Sequence, residues 1–192
     1  MDSYLRKRNR LERVAYLGPR AHFLTICTGG RAKRFSDPKL VILLIDVLQE
    51  SCAAHLFQIY AYCFMPDHLH LILVGTNDSS DLSAVIQSFK GKSTAAARKV
   101  GITELWQKGF YDHILRSGES LDAAAGYVFM NPVRAGFARQ AKEWAGSGSF
   151  VFKWEHRQIS QNSFVPPWKA TTASDEPEKK SKMATAGNDF SG

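Results

Sequence analysis

The chain has 192 residues, 44% of them hydrophobic, and a formal net charge of +7 at pH 7. This length predicts one domain with a tail instead of two full domains. Three scattered cysteines without a Cys-x-x-Cys pair argue against a disulfide framework, and no apolar run approaches the length of a membrane span. We therefore expect a cytoplasmic protein with no membrane partner.

The positive charge is concentrated at the amino terminus. The first twenty residues hold six Lys or Arg against two acids, which predicts a basic arm over residues 1–20. Residues 169–192 have almost no large apolar side chains, so we expect a disordered tail after a core domain at 21–168. A basic domain attracts polyanions through counterion release, which makes nucleic acid the leading partner class.

Hydrophobic patterns predict the elements of the first half. Residues 22–28 are rich in β-branched and aromatic side chains, which is typical of a buried strand. Residues 38–55 have apolar side chains at helical spacing and predict an amphipathic helix. Residues 56–65 and 67–74 predict a hairpin, with Pro66 in the bend where its missing N–H is tolerated.

The second half predicts a helix at 82–100, a strand at 109–116 and a third helix. Ser120 is the predicted N-cap of that helix, and Pro132 is expected to stop it because the residue before a proline is pushed out of the helical region. The order β, α, β, β, α, β, α predicts an α+β fold. We expect a ferredoxin-like split βαβ sandwich: an antiparallel sheet with helices on one face, plus a C-terminal helix.

Two histidines interrupt the apolar run "YCFMPDHLHLIL" at residues 62–73. His68 and His70 are two residues apart in a strand, so they share a face, with Cα atoms roughly 6.8 Å apart, while leucines line the other face. Such a pair can chelate one divalent ion. Alternatively, one or both imidazoles form hydrogen bonds in the core or lie at a wet strand edge.

The segment "YVFMN" offers a third ligand and a nucleophile. Tyr127 and Asn131 are i and i+4 on the third helix and share a face. If that helix crosses the sheet face of His68 and His70, the Asn131 carbonyl can complete a three-ligand site that suits Mg²⁺ or Mn²⁺ at least as well as Zn²⁺. Tyr127 can then attack a phosphodiester; the alternative is an ordinary core tyrosine.

Four segments occur together in this order: "FLTICTGGRAKRF", "FMPDHLHLIL", "LWQKGFYDHILR" and "YVFMNPVRAGF". From about residue 10 to residue 155, the chain resembles the HUH single-tyrosine transposases of the IS200-like type, especially their REP-associated tyrosine transposase branch in bacteria. The resemblance implies that His68, His70 and Asn131 bind the catalytic Mg²⁺ or Mn²⁺ and that Tyr127 becomes attached to a 5′ phosphate. It also implies a ferredoxin-like nuclease fold and single-stranded hairpin DNA such as REP palindromes. Asp67 stands where Asn is frequent.

Further residues are candidates for DNA contacts or for orienting the metal ligands. The basic candidates are Arg6, Lys7, Arg8, Arg10 and Arg13 in the arm and Lys90, Lys92 and Arg98 on the second helix. The arm resembles the region that in relatives helps to read bases flanking the hairpin. Asp112 and His113 either orient a ligand imidazole or form the exposed side of a strand. Tyr60, Tyr62 and Tyr111 are rival tyrosines, and the first two are expected to share a strand face.

Three functions remain open at this point. The first is a metal-dependent DNA endonuclease and strand transferase acting through Tyr127, nucleoid-associated and without a small-molecule substrate. The second is a non-catalytic regulator that binds hairpin DNA on the same fold. The third, a small metallohydrolase with a water nucleophile, is weakest because no HExxH helix or suitably spaced carboxylate accompanies the histidines. Either a monomer or a homodimer fits the sequence.

Overall fold

The computed structural model describes residues 13–154 and residue 164. The strands are β1 (Ala21–Cys27), β2 (Phe57–Met65), β3 (His68–Gly75), β4 (Tyr111–Ile114) and β5 (Ser147–Gly148). The α-helices are α1 (Pro38–Ala54), α2 (Leu82–Arg98), α3 (Leu121–Phe129) and the short α4 (Asn131–Arg134). Short 3-10 helices lie at Arg13–Tyr16, Gly29–Arg31, Arg34–Ser36 and Ala141–Glu143. The predicted order of elements is confirmed, with β5 added after the last helix.

The strands form one antiparallel sheet in the order β4-β1-β3-β2-β5. The first four positions are those of the ferredoxin-like arrangement, which confirms the predicted fold class. β2 and β3 make the predicted hairpin, with Pro66 and Asp67 in the turn. The central pair, β1 and β3, carries the fully buried side chains Leu24, Ile26, Leu69 and Leu71.

One face of the sheet is covered by α1 and α2. Each of these helices begins at an aspartate whose side chain accepts backbone N–H groups, Asp37 from Lys39 and Asp81 from Ser83 and Ala84. Their apolar stripes pack on the alternate residues of the strands that point to this face. The main members are Leu40, Leu44, Leu48, Val85, Ile86, Phe89, Leu24, Ile26, Leu69, Leu71 and Leu73.

The third helix packs on the opposite face. Ser120 caps α3 as predicted, because its side chain accepts from the Ala123 N–H at 3.2 Å. The residues of α3 form a second buried cluster with β1, β2 and β3, and its members include Phe23, Cys63, Ile72, Ala124, Ala125, Tyr127, Val128 and Phe129. The sheet therefore lies between two helices on one side and the tyrosine-bearing helix on the other.

The helix does not stop at Pro132. α3 ends at Phe129, and helical structure resumes at Asn131 with Pro132 in its first turn. A proline in a first turn disrupts no helical hydrogen bond, since the N–H groups there have no partner within the helix. The break at Met130 therefore turns the chain and leaves Asn131 and Arg134 close to the end of α3.

A β-bulge lies in the middle of β2. Ile59 pairs with Leu73 and Ala61 with the adjacent Ile72, so Tyr60 is an extra residue in the strand. Tyr60 consequently packs with the α3 side of the sheet, whereas Tyr62 belongs to the core under α1 and α2. The prediction that Tyr60 and Tyr62 share a face is wrong, because the bulge shifts the side-chain alternation by one residue.

The described part of the predicted arm packs on the domain. Tyr16 is buried in the α1 and α2 core, and Leu17 bridges to Asp81. The amide of Gly18 donates to the Ser80 carbonyl at 2.9 Å. Residues 1–12 and the predicted tail at 169–192 lie outside the described residues. Within the described part of the chain, none of the helices is both long and apolar enough to cross a membrane.

Candidate active site

His68 and His70 project together from the α3 face of β3. Their Nε2 atoms lie 3.0 Å apart, and their ring centroids are 4.6 Å apart. Leu69, Leu71 and Leu73 point to the other face and are fully buried. The strand alternation predicted from the sequence is therefore confirmed.

The Nδ1 atoms of both imidazoles have oxygen partners. Thr25 Oγ1 lies 3.0 Å from Nδ1 of His70, and Asp67 Oδ1 lies 2.6 Å from Nδ1 of His68. The other oxygen of Asp67 accepts from Nε of Arg31 at 3.0 Å. A hydrogen bond at Nδ1 orients an imidazole. The Asp67 carboxylate accepts from Nδ1 of His68, whereas the Thr25 hydroxyl can donate to or accept from Nδ1 of His70.

The two imidazoles offer two nitrogen atoms that could bind one divalent cation. Two nitrogens in adjacent positions of an octahedral ion, each about 2.1 Å from it, are about 3.0 Å apart, which matches the observed Nε2 separation of 3.0 Å. Burial lowers the pKa of His68, while the Asp67 carboxylate acts in the opposite direction. A lowered pKa favours the neutral imidazole, which is the form that binds metal.

A third ligand from the described residues would have to be an amide, a hydroxyl or a backbone carbonyl. Within residues 13–154 and 164, no group of three or more His, Cys, Asp or Glu side chains could hold a metal ion. The predicted third ligand, Asn131, donates its Nδ2 to the carbonyls of Tyr127 at 3.0 Å and Val128 at 3.3 Å. Its Oδ1 is the atom with ligand chemistry, and its assignment to the metal stays a prediction.

Tyr127 lies on α3 beside the histidine pair, as predicted. Its ring centroid is 6.3 Å from that of His70 and 5.8 Å from that of Phe23. Phe164 lies 5.8 Å from Tyr127 and stacks on Phe23. Tyr127 is only 8% exposed, so the aromatic side chains around it enclose most of its ring.

Arg134 is a site residue that the sequence reasoning missed. Its Cζ lies 3.9 Å from the centroid of the Tyr127 ring, and its Nη2 donates to the Tyr127 carbonyl at 2.6 Å. The signal was present in the spacing: seven residues are close to two helical turns, so Arg134 falls on the helix face of Tyr127. Thr25 and Arg31 were also missed, because they lie on other segments of the chain, and Asp67, although adjacent to His68, was noted in the motif without a role.

The predicted basic residues of α2 lie on the face opposite to the histidines. The Nζ atom of Lys90 donates to the carbonyls of Gln107 at 2.7 Å and Gly109 at 3.0 Å, and Lys92 pairs with Glu50 at 2.7 Å. Lys90 also lies within electrostatic range of Cys27, which pairs with His68 in the sheet, while Lys92 and Arg98 lie further along α2. Their DNA contacts stay predictions, as do those of the arm, since Arg6, Lys7, Arg8, Arg10 and the side chain of Arg13 lie outside the described residues.

The two residues predicted to orient a ligand imidazole separate to different faces of β4. His113 is paired with Phe23 across β1 and bonds to Glu119, whose Oε2 lies 2.8 Å from its Nε2. Asp112 is paired with Leu24, whose side chain belongs to the α1 and α2 core. The Nδ1 partners that the structure shows for His68 and His70 are Asp67 and Thr25.

Among the rival tyrosines, Tyr111 is nearest to the site in sheet register. It pairs with Thr25 from one side while His70 pairs with Thr25 from the other, so both side chains share the α3 face. Tyr111 is 54% exposed, far more than Tyr127. The exposed fraction alone therefore does not identify Tyr127 as the nucleophile. Tyr111 provides a matched control for substitution of Tyr127.

One known protein family matches this chain over the part that contains the sheet strands β1 to β4, the histidine pair and Tyr127. The sequence profile described as "Transposase IS200 like" matches residues 20–129. The chain belongs to the IS200-like transposase family. That family consists of DNA-processing enzymes, and the matched range includes the histidine pair and Tyr127.

Individual relatives of this IS200-like chain agree with the family assignment. A REP-associated tyrosine transposase of Escherichia coli (strain K12) is 26% identical over 112 residues, which cover 58% of this chain and 62% of that protein. A Haemophilus influenzae protein provisionally named a REP-associated tyrosine transposase is 24% identical over 158 residues, covering 77% and 86%. A solved REP-associated tyrosine transposase bound to a REP hairpin superposes with a TM-score of 0.62 at 22% identity, covering 86% of this chain and 89% of the other.

Proposed function

We propose that this chain is a metal-dependent endonuclease and strand transferase for single-stranded hairpin DNA, with Tyr127 as its nucleophile. The observation that carries the proposal is the packing of Tyr127 against His70, one residue of a pair whose Nε2 atoms converge at 3.0 Å. The helix tyrosine and the ligand pair come from segments more than fifty residues apart in the chain. Their meeting on one sheet face is what a tyrosine-dependent phosphoryl transfer requires.

The reaction would exchange one phosphoester bond for another. The Tyr127 phenol gives up its proton to solvent as its oxygen attacks phosphorus. The bond from phosphorus to the 3′ oxygen breaks, and that oxygen leaves as a free 3′ hydroxyl after taking up a proton from solvent. The 5′ phosphate remains on Tyr127, and attack by a DNA 3′ hydroxyl reverses the step and releases the phenol. A divalent cation bound by His68, His70 and Asn131 would supply Lewis-acid polarisation of the phosphate.

Hairpin DNA is the proposed substrate for two reasons. The net charge of +7 suits a phosphate backbone. In addition, a relative with the same fold has been solved with a REP hairpin bound. Base preference depends on contacts with base edges, so the sequence of the hairpin is left to experiment.

The experiment is a covalent-adduct assay. The full chain is incubated with single-stranded REP-like hairpin oligonucleotides and Mn²⁺ or Mg²⁺, and the products are separated on a denaturing gel. We expect a protein–DNA adduct that EDTA prevents, that Tyr127→Phe abolishes and that Tyr111→Phe retains. His68→Ala and Asn131→Ala should lose the adduct while still binding the hairpin.

The burial of Tyr127 favours one alternative, a regulator that binds hairpin DNA without cutting it. Tight hairpin binding without an adduct on any oligonucleotide would support that alternative. Cleavage that persists in Tyr127→Phe but is lost in Tyr111→Phe would move the nucleophile to β4. Cleavage that survives both changes with an adduct would indicate another tyrosine, and cleavage without an adduct would indicate water as the nucleophile, as in the metallohydrolase hypothesis.

A further inference from the structure

Arg134 bridges two parts of the same tyrosine. Its guanidinium lies over the Tyr127 ring, with Cζ 3.9 Å from the centroid, while Nη2 donates to the Tyr127 carbonyl at 2.6 Å. A cation over an aromatic face is attracted by the ring quadrupole. The second contact ties the same guanidinium to the backbone, so Arg134 restricts the directions in which the phenol can point.

The positive charge of Arg134 is available to an anion. Arg134 is exposed although Tyr127 is buried, and within the described part of the chain it forms no ion pair with a carboxylate. Its neighbour Cys63 does not cancel the charge, since burial raises the pKa of that thiol to about 12 and keeps it neutral. Burial lowers the pKa of Arg134, and Tyr127 acts in the opposite direction through its electrostatic interaction and its side-chain hydrogen bond.

The shape of the group matches a phosphate. A guanidinium presents parallel N–H donors that fit two non-bridging phosphate oxygens, and it stays charged at any physiological pH. A DNA phosphate that approaches the Tyr127 hydroxyl therefore reaches an exposed, uncompensated guanidinium beside the ring.

We propose that Arg134 positions the Tyr127 ring and binds the non-bridging oxygens of the DNA phosphate that Tyr127 attacks. This inference rests on the proposed function of Tyr127 as nucleophile. The positive charge of Arg134 would attract the phosphodiester before Tyr127 attacks it. After the attack, the same charge would attract the phosphate attached to Tyr127. Arg134 lies on α4, seven residues after Tyr127, so the two residues fall close to the same helix face.

The first test separates rate from binding. Arg134→Gln and Arg134→Lys are compared with wild type for the single-turnover rate of adduct formation at saturating hairpin and for hairpin affinity in EDTA. Because Arg134→Gln loses one charged donor, its rate should be lower by about 10-fold to 100-fold. Arg134→Lys keeps the positive charge but lacks the paired N–H donors of a guanidinium, so its rate should fall less. Arg139→Gln, which removes an exposed arginine nearby, should leave the rate within about threefold of wild type.

The second test does not depend on cleavage. Hairpins carrying one neutral methylphosphonate, scanned along the strand, are bound in EDTA by wild type and by Arg134→Gln. Wild type should bind the hairpin about tenfold more weakly when the methylphosphonate replaces the linkage that is cut in the adduct assay. Arg134→Gln should bind that hairpin as it binds the hairpins modified at other linkages. In protein labelled with 3-fluorotyrosine, the Tyr127 ¹⁹F resonance, identified by its loss in Tyr127→Phe, should shift in Arg134→Gln.

The outcomes distinguish the two proposals. Equal rates and equal methylphosphonate discrimination in wild type and Arg134→Gln would overturn the role of Arg134 while leaving Tyr127 as nucleophile. Arg134→Gln could instead lower both the rate and the unfolding midpoint while the ¹⁹F resonance stays unchanged and the methylphosphonate linkage is still distinguished. That result would mean that Arg134 is only a structural residue, and it would also overturn the proposed role of Arg134. Cleavage by Tyr127→Phe would instead refute the proposed function.

Discussion

The Oδ1 atom of Asp67 lies 2.6 Å from Nδ1 of His68, and its Oδ2 lies 3.0 Å from Nε of Arg31. Asp67 is thus held from one side by a guanidinium while it orients the imidazole on the other. The Nε2 atom of His68 is thereby directed at His70, which makes the turn of the hairpin part of the candidate metal site.

The first prediction concerns this carboxylate. Asp67→Ala should lower Mn²⁺ affinity by about 10-fold to 100-fold, because the His68 ring loses the group that fixes its tautomer and direction. Asp67→Asn should recover much of the affinity, since an amide oxygen can still accept from Nδ1. Titration of free Mn²⁺ by EPR without DNA measures the effect, and equal affinity in Asp67→Ala and wild type would contradict it.

A second prediction concerns Thr25, whose Oγ1 lies 3.0 Å from Nδ1 of His70. Thr25→Val keeps the shape but removes the hydroxyl and leaves a ring nitrogen of a buried histidine without that partner. Mn²⁺ affinity should fall by about tenfold. Thr25→Ser, which retains the hydroxyl, is the matched control and should stay close to wild type. A Thr25→Val protein that binds Mn²⁺ as tightly as Thr25→Ser would show that this hydrogen bond does not support the site.

His22 predicts a pH dependence of stability that is unrelated to the site. It is fully buried, and among the described residues neither ring nitrogen has a hydrogen-bond partner. Burial, assisted by Arg20, lowers its pKa from 6.5 to about 4. The unfolded chain therefore takes up a proton at higher pH than the folded chain does, so the stability that His22 contributes is present above pH 6.5 and is lost as the pH falls towards 4.

We expect His22 to lower the free energy of unfolding by about 2 kcal/mol at pH 5 relative to pH 7. Urea unfolding at the two pH values measures it in wild type and in His22→Leu, which cannot titrate. The difference between the two pH values should be smaller in His22→Leu by about that amount. An identical difference in both proteins would mean that His22 is not the source.

Two glycines predict stability changes of opposite sign. A Cβ at Gly75 would lie 2.2 Å from the carbonyl oxygen of Gly18, so Gly75→Ala must displace backbone and should destabilise the fold by about 3 kcal/mol. At Gly91, inside α2, a Cβ meets nothing within 4 Å. Gly91→Ala should stabilise by about 0.5–1 kcal/mol because alanine loses less backbone entropy in a helix. Urea unfolding of both variants tests the pair, and a destabilised Gly91→Ala would contradict the assignment.

Much of the site could be anticipated from residues close together in the chain. The shared face of His68 and His70 follows from the two-residue alternation of a strand, and the placement of Tyr127 on a helix follows from Ser120 and the apolar spacing after it. The β-bulge at Tyr60 could not be anticipated, because an inserted residue is visible only when Ile59 and Ala61 are paired with adjacent residues of β3. Without the bulge, strand alternation places Tyr60 and Tyr62 on the same face of the sheet, which is wrong.

The sequence by itself determined the order of the elements, the ferredoxin-like class and the pair of histidines with its leucine-lined reverse face. These properties depend on the periodicity of apolar side chains, which is a local signal in the chain. Only the tertiary structure decided that Thr25, 45 residues from His70, supports that imidazole, that Lys90 donates to the Gln107 and Gly109 carbonyls and that Arg134 covers the Tyr127 ring. The first two contacts join residues that are distant in the chain, and the contact of Arg134 requires a side-chain conformation that helical spacing alone does not specify.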